Sequence, residues 1–186
     1  MPAGLMQRRI LDWVALIDRL EAQDREALRD HFLALGEEDR RLRFGVAVSD
    51  RHIDAYVAGI DFNASHVYGV RGRGHAWLGI GHLSHGDGAA ELGLSVLPAV
   101  RGRGLGAAIF RYAVAHASRL GAGRLYMQFL SSNRAIVSIA RSAGMEIASN
   151  GGEADAYLLV PDHAELVAQL VAAPDREAHD APALGV

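Results

Sequence analysis

The chain of 186 residues contains neither cysteine nor lysine, since all 19 of its basic residues are arginine. The absence of cysteine excludes disulfides, zinc sites built on thiolates and a cysteine nucleophile. The absence of lysine excludes the lysine of a Walker loop, a Schiff-base nucleophile and acylation of a lysine side chain within this chain. The chemistry of this protein must therefore use other side chains and the backbone.

Long apolar segments are also missing, because no run approaches the roughly 20 residues needed to span a bilayer. Residues 1–9 lack the apolar core of a signal peptide. The formal net charge of −3 gives no support for binding to nucleic acid. We therefore expect a cytoplasmic protein without a membrane or nucleic-acid partner.

The composition is that of a folded domain, with 50% hydrophobic and 22% charged residues. A chain of this length and composition can bury a substantial single core. We predict an N-terminal extension over 1–12, one domain over 13–172 and a flexible tail over 173–186.

Hydrophobic periodicity and turn residues divide this domain into strands and helices. The predicted strands are Trp13–Arg19, Ser65–Val70, His75–Leu83, Ala89–Leu97, Arg124–Leu130, Glu146–Ala148 and Ala154–Val160. The predicted helices are Ala22–Leu35, Glu37–Leu42, one capped by Ser49, Leu105–Leu120, Asn133–Ala143 capped by Ser132, and Asp162–Ala172. Three hairpin-linked strands in this order do not fit repeated βαβ units, so we predict a mixed α+β sheet.

A glycine- and arginine-rich turn joins one of these strands to the helix that begins at Leu105. Its sequence is Arg101-Gly102-Arg103-Gly104-Leu105-Gly106. The glycines let backbone N–H groups approach an anion closely, and the helix N-terminus adds partial positive charge. The segment is therefore a candidate pyrophosphate site.

A nicotinamide or flavin site is one alternative, because Gly102, Gly104 and Ala107 satisfy the G-x-G-x-x-A fingerprint. That fold also requires an acidic residue about 20 positions further on, at the end of the next strand. Here that strand ends in Gln128-Phe129-Leu130-Ser131, without an acid. The fingerprint also follows antiparallel strands rather than opening a parallel unit, so this alternative is disfavoured.

The turn resembles the R/Q-x-x-G-x-G/A signature of the GNAT N-acetyltransferases. The resemblance extends to Asn133 and to Gly144-Met145, where members usually have Gly-Phe. Residues 28–44, and especially 37–44, are similar to the helical N-terminal part of a subgroup that includes bacterial protein-lysine acetyltransferases. The resemblance implies a central, mostly antiparallel twisted sheet of about six to seven strands flanked by helices. It also implies acetyl-CoA as co-substrate and a primary amine, on a small molecule or a protein lysine, as acceptor.

The resemblance assigns cofactor contacts to particular positions. The pyrophosphate would lie on Arg101, Gly102, Arg103, Gly104, Leu105 and Gly106. The pantetheine arm would pair with the strand before the turn, and a backbone N–H near Val96 or Leu97 would polarise the thioester carbonyl. Asn133 would hydrogen-bond the arm near its thiol end. No metal is implied.

Glu91 is the candidate general base, because it is an acid within an otherwise apolar strand and related enzymes carry their glutamate there. A base is needed because a primary amine, with a pKa of about 10.4, arrives protonated. His82 and His85 are alternatives for this role. With Asp87 they form a poor metal site, because their spacing crosses a strand end and a turn.

One position departs from the family. Many members carry a tyrosine that protonates the leaving thiolate, and Ala140 occupies its place here. Tyr126, Ser131, Ser138 or water could take this role. The departure leaves a second hypothesis open, a non-catalytic regulatory module that binds acyl-CoA. A homodimer is a further possibility that the resemblance suggests.

Overall fold

The computed structural model describes residues 3–72, 74 and 76–163. Its helices are α1 (Ala3–Val14), α2 (Arg25–Leu33), α3 (Glu37–Phe44), α4 (Asp50–Gly59), α5 (Leu105–Arg119) and α6 (Arg134–Ser142). Its strands are β1 (Ile17–Arg19), β2 (Ser65–Arg71), β3 (Trp77–Gly86), β4 (Ala89–Val96), β5 (Arg124–Leu130), β6 (Glu146–Asn150) and β7 (Glu153–Leu159). Across these ranges no helix is both long and apolar enough to cross a membrane.

The strands form one sheet in the order β1-β2-β3-β4-β5-β7-β6. All neighbouring strands are antiparallel except β4 and β5, which run parallel. This parallel pair is short, because β4 and β5 are in register only from Ala89–Arg124 to Glu91–Tyr126. The predicted mixed, mostly antiparallel sheet is confirmed, and its single parallel pair separates beyond Glu91.

Apolar residues cover both faces of the sheet. On one side, called the α5 face, α5 and α6 pack against the side chains of Leu92, Leu94 and Met127. On the other, called the α2 face, Leu28 and Phe32 of α2 pack with α4 over the N-terminal half of the sheet. The two helical layers therefore cover opposite faces of the sheet.

Two predicted elements differ from the structure. The predicted strand Trp13–Arg19 begins as the last turn of α1 and becomes strand only at Ile17. The predicted cap Ser132 is wrong, because the side chain of Asn133 caps α6 by accepting from the N–H of Ile136. From residue 164 on, the predicted helix Asp162–Ala172 and the tail 173–186 lie outside the described residues.

Candidate active site

A cleft of about 630 Å³ lies beside the part of β4 that extends beyond its short pairing with β5. Both Leu94, on the α5 face, and Ser95, on the α2 face, line it, so the cleft reaches both sides of the sheet. Its remaining wall comes from α1, α3, α5 and α6 and from the turn before α5. Its lining residues include Ile10, Asp39, Arg43, Val96, Arg101, Gly102, Gly104, Asn133, Ser138 and Ser142.

The edge of β4 that faces this cleft offers unpaired backbone groups. Hydrogen-bonded and non-bonded positions alternate along an antiparallel pair. The N–H of Leu97 donates to the carbonyl of Leu78 on the β3 side, at 2.9 Å. By alternation, the N–H groups of Leu94 and Val96 point away from β3, toward the gap. Leu97, one of the two predicted thioester contacts, is therefore committed to the sheet, whereas Val96 is available.

The glycine-rich turn has the backbone geometry that the sequence predicts for an anion site. Gly102 and Gly104 have φ of +69° and +86°, in the left-handed region that favours glycine. Gly104 is the N-cap of α5, whose 15 residues begin at Leu105. The turn thus presents backbone N–H groups at the positive end of a long helix, an arrangement that binds phosphate groups.

Helix α1 lies across this turn, a feature that the sequence did not reveal. A Cβ at Gly104 would lie 3.1 Å from Cγ1 of Ile10, and the indole Nε1 of Trp13 donates to the carbonyl of Arg103 at 2.9 Å. Residues of α1, including Ile10, therefore form one wall of the cleft. The predicted N-terminal extension contributes to the site.

Arg101 is engaged within the protein rather than free for a phosphate. Its Nη2 lies 2.9 Å from Oδ2 of Asp39, and its Nε donates to the carbonyl of Val96 at 3.0 Å. These bonds tie the turn to α3 and to the end of β4. Arg101 lines the cleft, whereas the side chain of Arg103 does not. Of the two positive charges expected at this turn, that of Arg101 is thus paired with Asp39.

Asn133 lines the cleft but already has protein partners. Its Oδ1 accepts from the N–H of Ile136 at 3.2 Å, and its Nδ2 donates to the carbonyl of Leu42 at 3.4 Å. An amide nitrogen carries two hydrogens. One donor of Asn133 therefore stays available for a ligand in the cleft.

Glu91 is half-buried on the α2 face, at the last position where β4 and β5 are still paired. Its neighbours across the sheet are Ser84 on β3 and Tyr126 on β5. Leu94 is the first residue of β4 that lines the cleft, three positions further on. At about 3.3 Å per residue, Glu91 lies roughly 10 Å from Leu94 along β4. Glu91 therefore lies outside the wall of the cleft.

His82 belongs to a polar group on the same face. Its Nδ1 is 2.6 Å from the hydroxyl of Tyr56, which accepts a hydrogen bond from Nη2 of Arg43 at 3.1 Å. Burial, together with the charge of Arg43, lowers the pKa of His82 to about 4. His82 is therefore neutral at pH 7. His85 is exposed and, by strand alternation, lies on the opposite face from Glu91.

The candidates for protonating the thiolate are separated by the fold. Ala140 is fully buried in the core. Tyr126 lies on β5 outside the cleft wall, and the hydroxyl of Ser131 donates to the carbonyl of Glu153. Of the three side chains predicted as proton donors to the thiolate, Ser138 is the one that lines the cleft. Ser142, which the sequence did not single out, also lines it. Over the described part of the chain, no three His, Asp or Glu residues are grouped as metal ligands.

The sequence profile of the Acetyltransferase (GNAT) domain matches residues 15–146. Because this match covers more than half of the chain, the protein belongs to the GNAT acetyltransferase family. A search of proteins with curated functions finds no significant match.

Solved structures share the fold at low sequence identity. The GNAT domain of PAT from S. lividans is 18% identical with a TM-score of 0.65, covering 77% of this chain and 89% of that one. The acetyltransferase yncA from Salmonella typhimurium, solved with acetyl-CoA, is 17% identical with a TM-score of 0.59, covering 79% and 94%. The ribosomal-protein-S18-alanine N-acetyltransferase from Escherichia coli is 17% identical with a TM-score of 0.58, covering 77% and 92%.

Proposed function

We propose that this protein is an N-acetyltransferase that moves an acetyl group from acetyl-CoA directly to a primary amine. The acceptor is a small molecule or a protein lysine. The observation that carries the proposal is the cleft beside the free edge of β4, which joins the glycine-rich turn to backbone N–H groups of β4 that face away from β3. Membership of the GNAT family supports the reaction class, and the acetyl-CoA in the S. typhimurium structure supports the co-substrate.

Acetyl-CoA binds along the cleft in this proposal. The pyrophosphate lies on the N–H groups between Arg101 and Gly106, at the N-terminus of α5. The pantetheine arm adds to the free edge of β4 as an extra strand, where the N–H groups of Leu94 and Val96 face the gap. Asn133 donates its remaining amide hydrogen to the arm.

The chemical step is attack of the amine on the thioester carbon. The amine first loses a proton, through water, to the carboxylate of Glu91. A new C–N bond forms while a free N–H of β4 stabilises the negative oxygen. The C–S bond then breaks while the nitrogen loses its second proton to water. CoA leaves as a thiolate that takes a proton from water, directly or relayed by the hydroxyl of Ser138, which lines the cleft. Proximity of the two bound substrates supplies much of the acceleration.

A second candidate is a non-catalytic module that binds acyl-CoA and regulates a partner. The burial of Ala140, at the position where many members carry a tyrosine, favours this alternative. The expected homodimer stays a prediction under either function.

A Glu91→Gln variant separates these functions and tests the base. Calorimetric titration with acetyl-CoA and a thiol-release assay with a panel of amines are carried out on both proteins. We expect unchanged acetyl-CoA affinity and a fall in turnover of about 100-fold or more, the lower range for general-base catalysis. Ser84→Ala, which alters the neighbouring residue on β3, serves as the matched control. Unchanged turnover in Glu91→Gln contradicts the base, and binding without release from any amine favours the regulatory module.

A further inference from the structure

Arg43 of α3 is a cation at the cleft for which the described residues supply no anionic partner. Six ion pairs connect arginines to acids within the described ranges, and none of them includes Arg43. Its Nε–H is buried and donates to no partner in that part of the structure. A half-buried guanidinium that lacks a carboxylate is unusual, because its desolvation is ordinarily offset by pairing.

Aromatic rings hold the guanidinium of Arg43 in place. Its central carbon lies 5.0 Å from the ring centre of Phe44 and 5.8 Å from those of Phe32 and Tyr56. The hydroxyl of Tyr56 adds one hydrogen bond. These contacts fix the orientation of the group but leave its positive charge uncompensated.

The guanidinium lies directly on the backbone of β4 at Gly93. Any side chain at Gly93 would collide with Nη2, so the absence of a Cβ makes room for Arg43. Gly93 lies between Glu91 and Ser95 on the α2 face, and Ser95 lines the cleft. Arg43 is thus positioned at the end of the cleft nearest to Glu91.

Neighbouring groups neither neutralise Arg43 nor add positive charge at neutral pH. Burial is the main cause that lowers the pKa of both His31 and His82 to about 4, and Arg43 contributes to both shifts. His31 is held neutral between the carbonyl of Trp77 and the hydroxyl of Ser95, at 2.7 and 2.8 Å. Among Arg43, Tyr56, His31 and His82, Arg43 is therefore the one that carries a positive charge at neutral pH.

We propose that Arg43 binds a carboxylate of the acceptor, so that the preferred substrate is an amine that also carries a carboxylate, such as an amino acid. This inference rests on the proposed acetyltransferase function and narrows its substrate class. The planar guanidinium of arginine pairs with carboxylates through two parallel hydrogen bonds. Glu91 is two residues from Gly93 and lies on the same face of β4. The site thus combines a base for the amine with a cation for the carboxylate.

The test compares amino acids with their carboxamides as acceptors in the thiol-release assay. For the wild-type protein we expect kcat/KM to be about 10- to 150-fold higher for the acids, the range for hydrogen bonds to charged groups. Arg43→Met should abolish this ratio, and Arg43→Lys should restore part of it. Arg41→Met is the matched control, because Arg41 lies on the same helix, pairs with Glu38 and does not line the cleft. It should leave the ratio unchanged.

Separate outcomes distinguish the inference from the function on which it depends. Equal kcat/KM for acids and carboxamides, or a ratio that persists in Arg43→Met, overturns the carboxylate assignment while acetyl transfer stands. A parallel series uses succinyl-CoA as donor. The wild type would then prefer succinyl-CoA to acetyl-CoA, and Arg43→Met would remove this preference, if Arg43 bound a carboxylate of the acyl group. That result overturns the assignment of the carboxylate to the acceptor. Absence of CoA release from every amine overturns the proposed function itself. Acetyl-CoA affinity and thermal melting establish that each variant is folded.

Discussion

The turn before α5 provides a sharp prediction, because two of its residues adopt conformations that only glycine accepts easily. Gly102 has φ of +69°, and the space around its Cβ position is empty to 4 Å. A Gly102→Ala substitution therefore introduces backbone strain without a collision. The left-handed conformation costs an alanine about 1–2 kcal/mol, and we expect the free energy of unfolding to fall by that amount.

The same substitution should weaken acetyl-CoA binding. The strain is relieved when the peptide groups on either side of residue 102 rotate, which turns an N–H away from the phosphates. A hydrogen bond to a charged group contributes about 1.5–3 kcal/mol, so the loss of one raises the Kd by about 10- to 150-fold. Urea unfolding gives the stability, and isothermal titration calorimetry gives the affinity.

Gly121→Ala is the matched control for this experiment. Gly121 follows the end of α5, has φ of +74° and also has no atom within 4 Å of its Cβ position. It lies outside the cleft wall. We expect a similar loss of stability with unchanged acetyl-CoA affinity. The reasoning is refuted if Gly102→Ala binds acetyl-CoA like the wild type, or if Gly121→Ala weakens binding equally.

Two further predictions concern stability. The pKa of His31 is about 4 when folded and 6.5 when unfolded, so its contribution to stability is present above pH 6.5 and lost as the pH falls toward 4. A His31→Gln variant should therefore reduce the pH slope of the unfolding free energy between these values by about 1.4 kcal/mol per pH unit, and an unchanged slope contradicts a neutral His31. Asn133→Ala should cost about 1 kcal/mol in urea unfolding because it removes the cap of α6, whereas Ser132→Ala should cost little; the reverse order contradicts the observed cap.

Local patterns in the sequence predicted the elements that carry the turn. The alternation in the strands leading to β4 and the glycines before Leu105 both report on backbone conformation within a few residues. The prediction that the strand of β1 begins at Trp13 is wrong for a physical reason. A short apolar run fits a buried strand and the end of an amphipathic helix equally well, and packing of α1 on Gly104 decides between them.

Interactions between distant parts of the chain could not be predicted in this way. Arg43 is one of several arginines in a charged helical segment, and only the fold places it on Gly93 rather than in solvent. The pairing of Arg101 with Asp39 is likewise a tertiary contact. The commitment of Leu97 to β3 depends on the strand register. Each of these contacts joins residues far apart in sequence, so periodicity carries no signal for them.

The most direct test of the central claim is a crystal structure of the protein with acetyl-CoA. We expect the pyrophosphate to lie on the backbone N–H groups between Arg101 and Gly106. We expect the pantetheine arm to lie along the free edge of β4, at Leu94 and Val96. Helix α1 should line the phosphate site or shift away from it. Acetyl-CoA bound elsewhere, or phosphates that make no contact with the turn, would contradict the account.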